Sequence, residues 1–274
     1  MEKTEYFTLS NGARIPSIGF GTWQIPNGKV AYESTLFALK SGYRHIDTAN
    51  AYGNEESIGR AVRDSGIDRS EIFVTSKLPA ETKTYEGALK KSEETMKNIG
   101  LDYIDLYLIH APWPWSDMGK DYTKENIKVW KAMEEFYGSG RTRAIGISNF
   151  NVSDMDAILG NCSICPVVNQ IKLHIGHNQE ETTEHCRKNN ILVEGYSPLA
   201  TGRILGNKAI EEMSRKYDRT ISQICIRYVL QRGAVPLPKS THEEFILQNA
   251  DVDFIISDDD MNYLAGLKGT VKAW

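Results

Sequence analysis

Residues 85–110 read YEGALKKSEETMKNIGLDYIDLYLIH, and the two halves of that stretch carry different periods. Tyr85, Leu89, Met96 and Ile99 follow one another at offsets of four, seven and three, along one helical face. Gly100 stands where a helix C-terminus favours glycine. Tyr103 to His110 is too apolar to have one solvated face, so it predicts a strand covered on both sides. An amphipathic helix feeding such a strand is the repeating unit of a parallel α/β fold.

The same alternation extends outward. Candidate strands are Ile18 to Phe20, Arg44 to Asp47, Ile72 to Lys77, Tyr103 to His110, Ala144 to Ser148, Val167 to Gln170, Ile191 to Tyr196 and Ala234 to Leu237. Gly42, Gly66 and Gly233 repeat the punctuation of Gly100, and Thr220 with Gln223 fits a capping box. Tyr6 to Leu9 and Arg14 to Ile15 flank Asn11-Gly12, which predicts an opening hairpin with a primed turn. About eight βα units in this length favour one closed (β/α)8 barrel, a TIM barrel, over 1–274 as a single domain. A doubly wound open sheet competes, but Gly19-Phe20-Gly21-Thr22-Trp23-Gln24 lacks the third glycine of a dinucleotide fingerprint. Pro236 removes a ladder hydrogen bond, so the last strand is expected to be short or irregular.

Composition narrows the class. The 274 residues are 41% hydrophobic and 25% charged, as in ordinary globular chains, and a formal net charge of −4 disfavours nucleic acid or an anionic membrane as partner. No apolar run approaches the roughly 18 residues of a membrane span, and Met1 to Glu5 lacks a signal-peptide core, so a cytoplasmic monomer is expected. Cysteines at 162, 165, 186 and 225 are too scattered for a disulfide framework. Cys162-Ser163-Ile164-Cys165 has redox or zinc-knuckle spacing, with His174, His177 and His185 downstream. There is no second cysteine pair, and Pro166 stands where a redox motif opens a helix, so the expectation is a loop with incidental thiols and no metal.

In a parallel barrel, chemistry lies where the strands end. Asp47 ends the second candidate strand with Tyr52 in the loop after it, Lys77 ends the third, and His110 ends the fourth. Each alone has a structural reading: a turn cap, a packed ring, a solvated amine, a hydrogen-bonded core histidine. Together they make a proton donor with support. An ammonium near a phenol, about 4 Å away at an effective dielectric near 20, lowers its pKa by up to ~3 units. Asp47 would hold Lys77 charged, and His110 would donate to a carbonyl oxygen as it gains charge. Carbonyl reduction also needs a hydride, hence a nicotinamide cofactor. Lys239-Ser240-Thr241 after the eighth strand reads either as a phosphate cradle or as a capping box of Ser240 with Glu243.

The sequence resembles the aldo-keto reductases, particularly bacterial members similar to aldose reductase and diketogluconate reductase. The resemblance rests on Gly19-Phe20-Gly21-Thr22-Trp23, Tyr43 to Ala49, Tyr52-Gly53-Asn54-Glu55, Leu101 to His110, Gly146 to Phe150, Val168-Asn169-Gln170, Tyr196-Ser197-Pro198-Leu199 and Pro238-Lys239-Ser240. It implies Tyr52 as acid, with Asp47, Lys77 and His110 supporting it. It further implies Ser148, Asn149 and Gln170 on the nicotinamide carboxamide and Tyr196 on the ring, which barrel-mouth packing of Tyr196 would also satisfy. Gly21, Thr22, Ser197, Leu199, Lys239, Ser240, Thr241, Gln248 and Asn249 complete the implied cofactor set. Trp23 and Trp113 would line the substrate pocket with Tyr52 and His110, and Trp115 joins them or merely packs.

Departures from the family pattern are Ala111 where many relatives have tryptophan, Lys172 for an acidic residue, Ile175 for proline, and Phe245 for an arginine that grips the 2′-phosphate. The expectation is an NADPH-preferring reductase of small aldehydes or ketones, with NADH as the weaker cofactor. A short tail ending at Trp274 suggests an open pocket. The rivals are a barrel lyase using Lys77 as a Schiff-base amine and a non-catalytic NADPH-binding regulator.

Overall fold

The computed structural model describes residues 5–271, so the expectations attached to Met1 to Thr4 and to the tail end at Trp274 fall outside it. β1 (Tyr6–Thr8) and β2 (Arg14–Pro16) form a separate antiparallel hairpin. Eight parallel strands follow, each paired with the next in chain order: β3 (Phe20–Gly21), β4 (His45–Asp47), β5 (Phe73–Leu78), β6 (Leu106–Ile109), β7 (Ile145–Ser148), β8 (Val168–Lys172), β9 (Leu192–Tyr196) and β10 (Val235–Leu237). Around them lie α1 (Lys29–Lys40), α2 (Glu55–Asp64), α3 (Tyr85–Ile99), α4 (Thr123–Gly138), α5 (Val152–Leu159), α6 (Glu180–Lys188), α7 (Lys208–Tyr217), α8 (Ile221–Gln231), α9 (Glu243–Ala250) and α10 (Asp258–Gly266). No helix among the described residues is long and apolar enough to cross a membrane.

The sheet curls into a nearly closed barrel. Gly19 N–H donates to Pro236 O at 3.0 Å and Gly21 N–H to Pro238 O at 2.9 Å, across the seam between first and last strands. Pro236 therefore leaves β10 three residues long, as expected, while its carbonyl still serves the seam. Gly19 is needed here: a Cβ would sit 2.5 Å from Leu237 Cδ2 and 2.6 Å from His45 Nδ1. Gly100 closes α3 in the left-handed region at φ 60, and Thr84 caps its start through Gly87 N–H. Gly59 of α2 lies hard against that end of α3, where a Cβ would come within 1.7 Å of Ile99 O.

Some local readings shift. β3 starts at Phe20 rather than Ile18, and β6 is shorter than Tyr103 to His110, with Ile104 touching Thr142 through an isolated bridge. The hairpin turn is not primed, because only Gly12 has positive φ, at 87. Asn11 instead accepts from Ala13 N–H (3.1 Å) and donates to Arg143 O (3.0 Å), which ties the turn to the barrel. Leu9 and Ile15 then cluster with Phe73, Leu106, Leu108, Ala144, Val167 and Val168 and fill the lower end of the barrel. The upper interior is polar: His45, Asp47, Thr75, Lys77, Gln170 and Glu194 are all buried there.

Candidate active site

Strand alternation explains why acid, base and amide meet. Asp47 at the end of β4 and Lys77 near the end of β5 point into the barrel from adjacent strands. Lys77 Nζ donates to Asp47 Oδ1 at 2.7 Å, Asp47 Oδ2 at 2.8 Å and Thr48 O at 2.8 Å, and lies 3.3 Å from Tyr52 Oη. Tyr52 ends a single 3₁₀ turn, Asn50–Tyr52, closed by Gly53 at φ 68. The turn is anchored by Asn54, which donates to Thr22 O and Ile25 O and accepts from the Thr48 hydroxyl. His110, one residue beyond β6, meets the Tyr52 ring edge-on at 5.5 Å.

Burial and neighbouring charge set the protonation states. Burial alone would lower the Lys77 pKa, but Asp47 and Tyr52 more than offset it and hold the amine as ammonium. That state is the wrong one for a Schiff-base nucleophile, which attacks as free amine. Tyr52 departs from expectation: its pKa is raised, because burial outweighs the Lys77 charge and Asp47 opposes that charge. It stays a phenol throughout the neutral range. His110 is driven down to about 3 by burial and then Lys77, so its ring is neutral. Its Nδ1 is enclosed without a partner. A buried lone pair is tolerated better than a buried unpaired N–H, which places the hydrogen on Nε2.

Above these groups opens a cavity of about 850 Å³, within the size range of small-molecule sites. It is lined by Gly21, Trp23, Asp47, Tyr52, His110, Ser148, Asn149, Gln170, Tyr196, Ser197, Leu199, Lys239, Ser240, Gln248 and Asn249, all singled out from the sequence. Thr22, Thr241 and Trp113 are not in that lining. Thr22 is buried with its hydroxyl on Asp47 O at 2.8 Å. Trp113 packs edge-on against Trp115 at 5.2 Å, and it is Trp115 that reaches the cavity and the His110 ring. Pro114, extended at ψ 145, followed by the turn Trp115–Asp117, swings Trp115 rather than Trp113 inward.

Two features were not read from the sequence. Gln170 Nε2 donates both to Asp47 Oδ2 and to Glu194 Oε2, each at 2.8 Å. Glu194 carries the one charge in the apolar run Ile191 to Tyr196, and that anomaly was the available signal. Four left-handed non-glycine residues, Gln24, Asn149, Ser197 and Thr201, also line the cavity, backbone strain of the kind that persists where loops are held for binding. At the far end the capping box does not form. His242 caps α9 without a side-chain bond, and Ser240 Oγ accepts from His242 N–H instead.

A parallel barrel with a buried amine–carboxylate pair under a phenol, at the strand-end mouth, carries the groups that proton transfer uses. The chain belongs to the aldo/keto reductase family, whose model matches residues 17–268. It is 40% identical over 260 residues to glyoxal reductase of Bacillus subtilis, covering 94% of this chain and 91% of that protein. An aldo-keto reductase from a Medee basin deep-sea metagenome library superposes with TM-score 0.90 at 40% identity, covering 98% and 97% of the two chains. The Bombyx mori aldo-keto reductase in complex with NADP gives TM-score 0.88 at 30% identity, over 99% and 95%. The protein is thus an oxidoreductase of a family that reduces carbonyls with NAD(P)H.

Proposed function

We propose that this protein reduces small aldehydes or ketones to alcohols with NADPH, acting as a single chain in the cytoplasm, and that Tyr52 is its general acid. The observation that carries the reading is the Tyr52 hydroxyl 3.3 Å from an ammonium buried beneath a cavity large enough for cofactor and carbonyl together. The residues fit a dinucleotide. Gln170 offers an amide oxygen that accepts no hydrogen bond from the described residues, and Lys239 and Ser240 line the same cavity. Gln170, Ser148, Asn149 and Tyr196 would hold the nicotinamide, and Lys239, Ser240, Gln248 and Asn249 the adenosine phosphate. Gly21, Ser197 and Leu199 would line its path; Thr22 and Thr241 would support the walls. When bound, the cofactor supplies the hydride.

The chain's own groups handle the proton. A substrate oxygen between Tyr52 Oη and His110 Nε2 takes a hydrogen bond from the neutral imidazole as negative charge develops. Tyr52 gives up its proton to that oxygen, and Lys77 stabilises the phenolate left behind. Asp47 and Thr48 O keep the ammonium in place throughout. Trp23 and Trp115 wall the substrate side, with Trp113 behind Trp115. Phe245 stands exposed at the cavity's far end, where an arginine would add a charge, so the preference for NADPH over NADH is moderate. Tyr52→Phe should lower reductase turnover by at least 10²-fold, the lower range for a positioned acid, and leave NADPH binding within about twofold. Loss of NADPH absorbance against a panel of aldehydes, α-dicarbonyls and ketones reads it. Near-normal turnover in that variant would reject the acid assignment.

A further inference from the structure

The polar chain continues below the reacting groups. On the ladder Gln170 of β8 faces Glu194 of β9, so the contact between them is set by strand register. The Gln170 amide nitrogen has two hydrogens, and both are taken, by Asp47 Oδ2 and Glu194 Oε2. The nitrogen must face this way, because Asp47 is the ionised partner of Lys77 and a carbonyl oxygen cannot face it. In the neighbouring amide, Asn149 Nδ2 donates to His110 O and Ser148 Oγ, while Oδ1 accepts one bond, from Tyr196 Oη. Ser148 Oγ in turn donates to Gln170 O. Among Ser148, Asn149 and Gln170, Gln170 Oε1 is the side-chain oxygen that accepts no hydrogen bond from the described residues.

We infer that Glu194 is a positioning residue: it fixes the Gln170 amide with its oxygen toward the cavity and so shapes the seat of the nicotinamide carboxamide. This rests on the reading of Gln170 as a cofactor ligand. Glu194 does so as a neutral acid. It is fully buried, its Oε1 has no hydrogen-bond partner, and the nearest group, His45 Nε2, lies at 3.5 Å and already meets Thr75 Oγ1 at 3.0 Å. Burial and then Asp47 raise its pKa to about 8, while burial and then Lys77 lower His45 to about 3. The pair is therefore uncharged at neutral pH rather than a salt bridge, and Asp47 keeps its single counter-ion. Without the Glu194 oxygen, one Gln170 hydrogen loses its acceptor in a dry site and the amide is held by Asp47 alone.

Titrations of NADPH and of 2′-phospho-ADP-ribose, which lacks the nicotinamide, test this on Glu194→Leu, Glu194→Met, Glu194→Gln and Gln170→Ala. Glu194→Leu and Glu194→Met should weaken NADPH about tenfold, the scale of one buried hydrogen bond, and leave the fragment within about twofold. Glu194→Gln, which keeps an acceptor oxygen, should bind both as the wild type does. Equal weakening of fragment and cofactor, or no effect of either apolar variant while Gln170→Ala weakens NADPH, would overturn the inference alone. If Gln170→Ala leaves NADPH affinity unchanged, the reading of Gln170 fails and takes the inference with it.

A separate observation concerns the thiols. Cys162 Sγ and Cys165 Sγ lie 3.3 Å apart in the loop between α5 and β8, with Cys165 exposed and Cys162 half-buried. The loop is pinned at its middle: Glu134 Oε1 accepts from Ser163 and Ile164 N–H, and Trp130 Nε1 donates to Ile164 O. The geometry points to a reversible dithiol–disulfide couple that reacts with small disulfides. The Cys165 thiolate attacks the small disulfide and releases one thiol; Cys162 then loses its proton, attacks Cys165 Sγ and expels the second. Two protein thiols are oxidised by two electrons and one disulfide is reduced to two thiols. After incubation of the full-length protein with glutathione disulfide, mass analysis should find the wild type two hydrogens lighter and free of adduct, and Cys162→Ser carrying glutathione on Cys165. A stable glutathione adduct on wild-type Cys165, or thiols that stay reduced, would overturn it.

Discussion

Replacing Lys77 by methionine separates what the buried charge does for catalysis from what it does for folding. At 3.3 Å and an effective dielectric near 20, an ammonium attracts a forming phenolate by about 5 kcal/mol. Lys77→Met removes that attraction and leaves Asp47 unopposed beside the phenolate, so it should cut the proton-transfer step by at least about 10³-fold. The same change strands a carboxylate that is 3% exposed, which costs about 3–5 kcal/mol of stability. Adding Asp47→Asn removes the stranded charge, so the double variant should recover most of the melting temperature while turnover stays low. Single-turnover loss of NADPH absorbance and thermal unfolding at pH 7 read the two effects separately. Turnover within about threefold of wild type in Lys77→Met, or turnover that returns together with stability in the double variant, would refute the reasoning.

Phe245→Arg should tighten NADPH by roughly ten- to hundred-fold, the worth of one charge-assisted contact, and leave NADH unchanged, as fluorescence titration of each cofactor would show. Gly59→Ala should cost about 3 kcal/mol in denaturant unfolding, because the clash is with the Ile99 carbonyl in the backbone of α3 rather than with a movable side-chain tip. Glu194 predicts a pH slope. Its folded pKa, about 8, lies above the unfolded value of 4.5, so the folded state holds the extra proton between them. Its stabilising share is complete below pH 4.5 and drains away as pH rises to 8. The melting temperature of Glu194→Gln should gain on the wild type over that window, and a constant difference would exclude a protonated Glu194.

The barrel was legible because helix, glycine and buried strand recur with distinct periods, as in residues 85–110, and strand ends could then be read in order. Asp47, Tyr52, Lys77 and His110 were found that way, since each follows directly from its place in a unit. The Asn11 turn escaped because its hydrogen bond to Arg143 O joins residues far apart in the chain. Trp115 and Trp113 differ only in which way a proline-bounded turn faces, and periodicity is silent there. The sign of the Tyr52 shift needed the depth of burial and the placing of Asp47, which only three dimensions provide. Glu194 was visible as a charge inside an apolar strand, but its partners come from β4 and β8 and could not be named without register.

The hairpin plug has a kinetic consequence. Leu9 and Ile15 pack into an apolar cluster with Phe73, Leu106 and Leu108, while Gln170, which holds the Glu194 carboxyl, lines the strand-end cavity. On the proposed reading of Gln170, a bound dinucleotide would act as a stopper between that acid and bulk solvent. The rate at which that hidden hydrogen trades with deuterium would then be a clock for how often the bound molecule lifts.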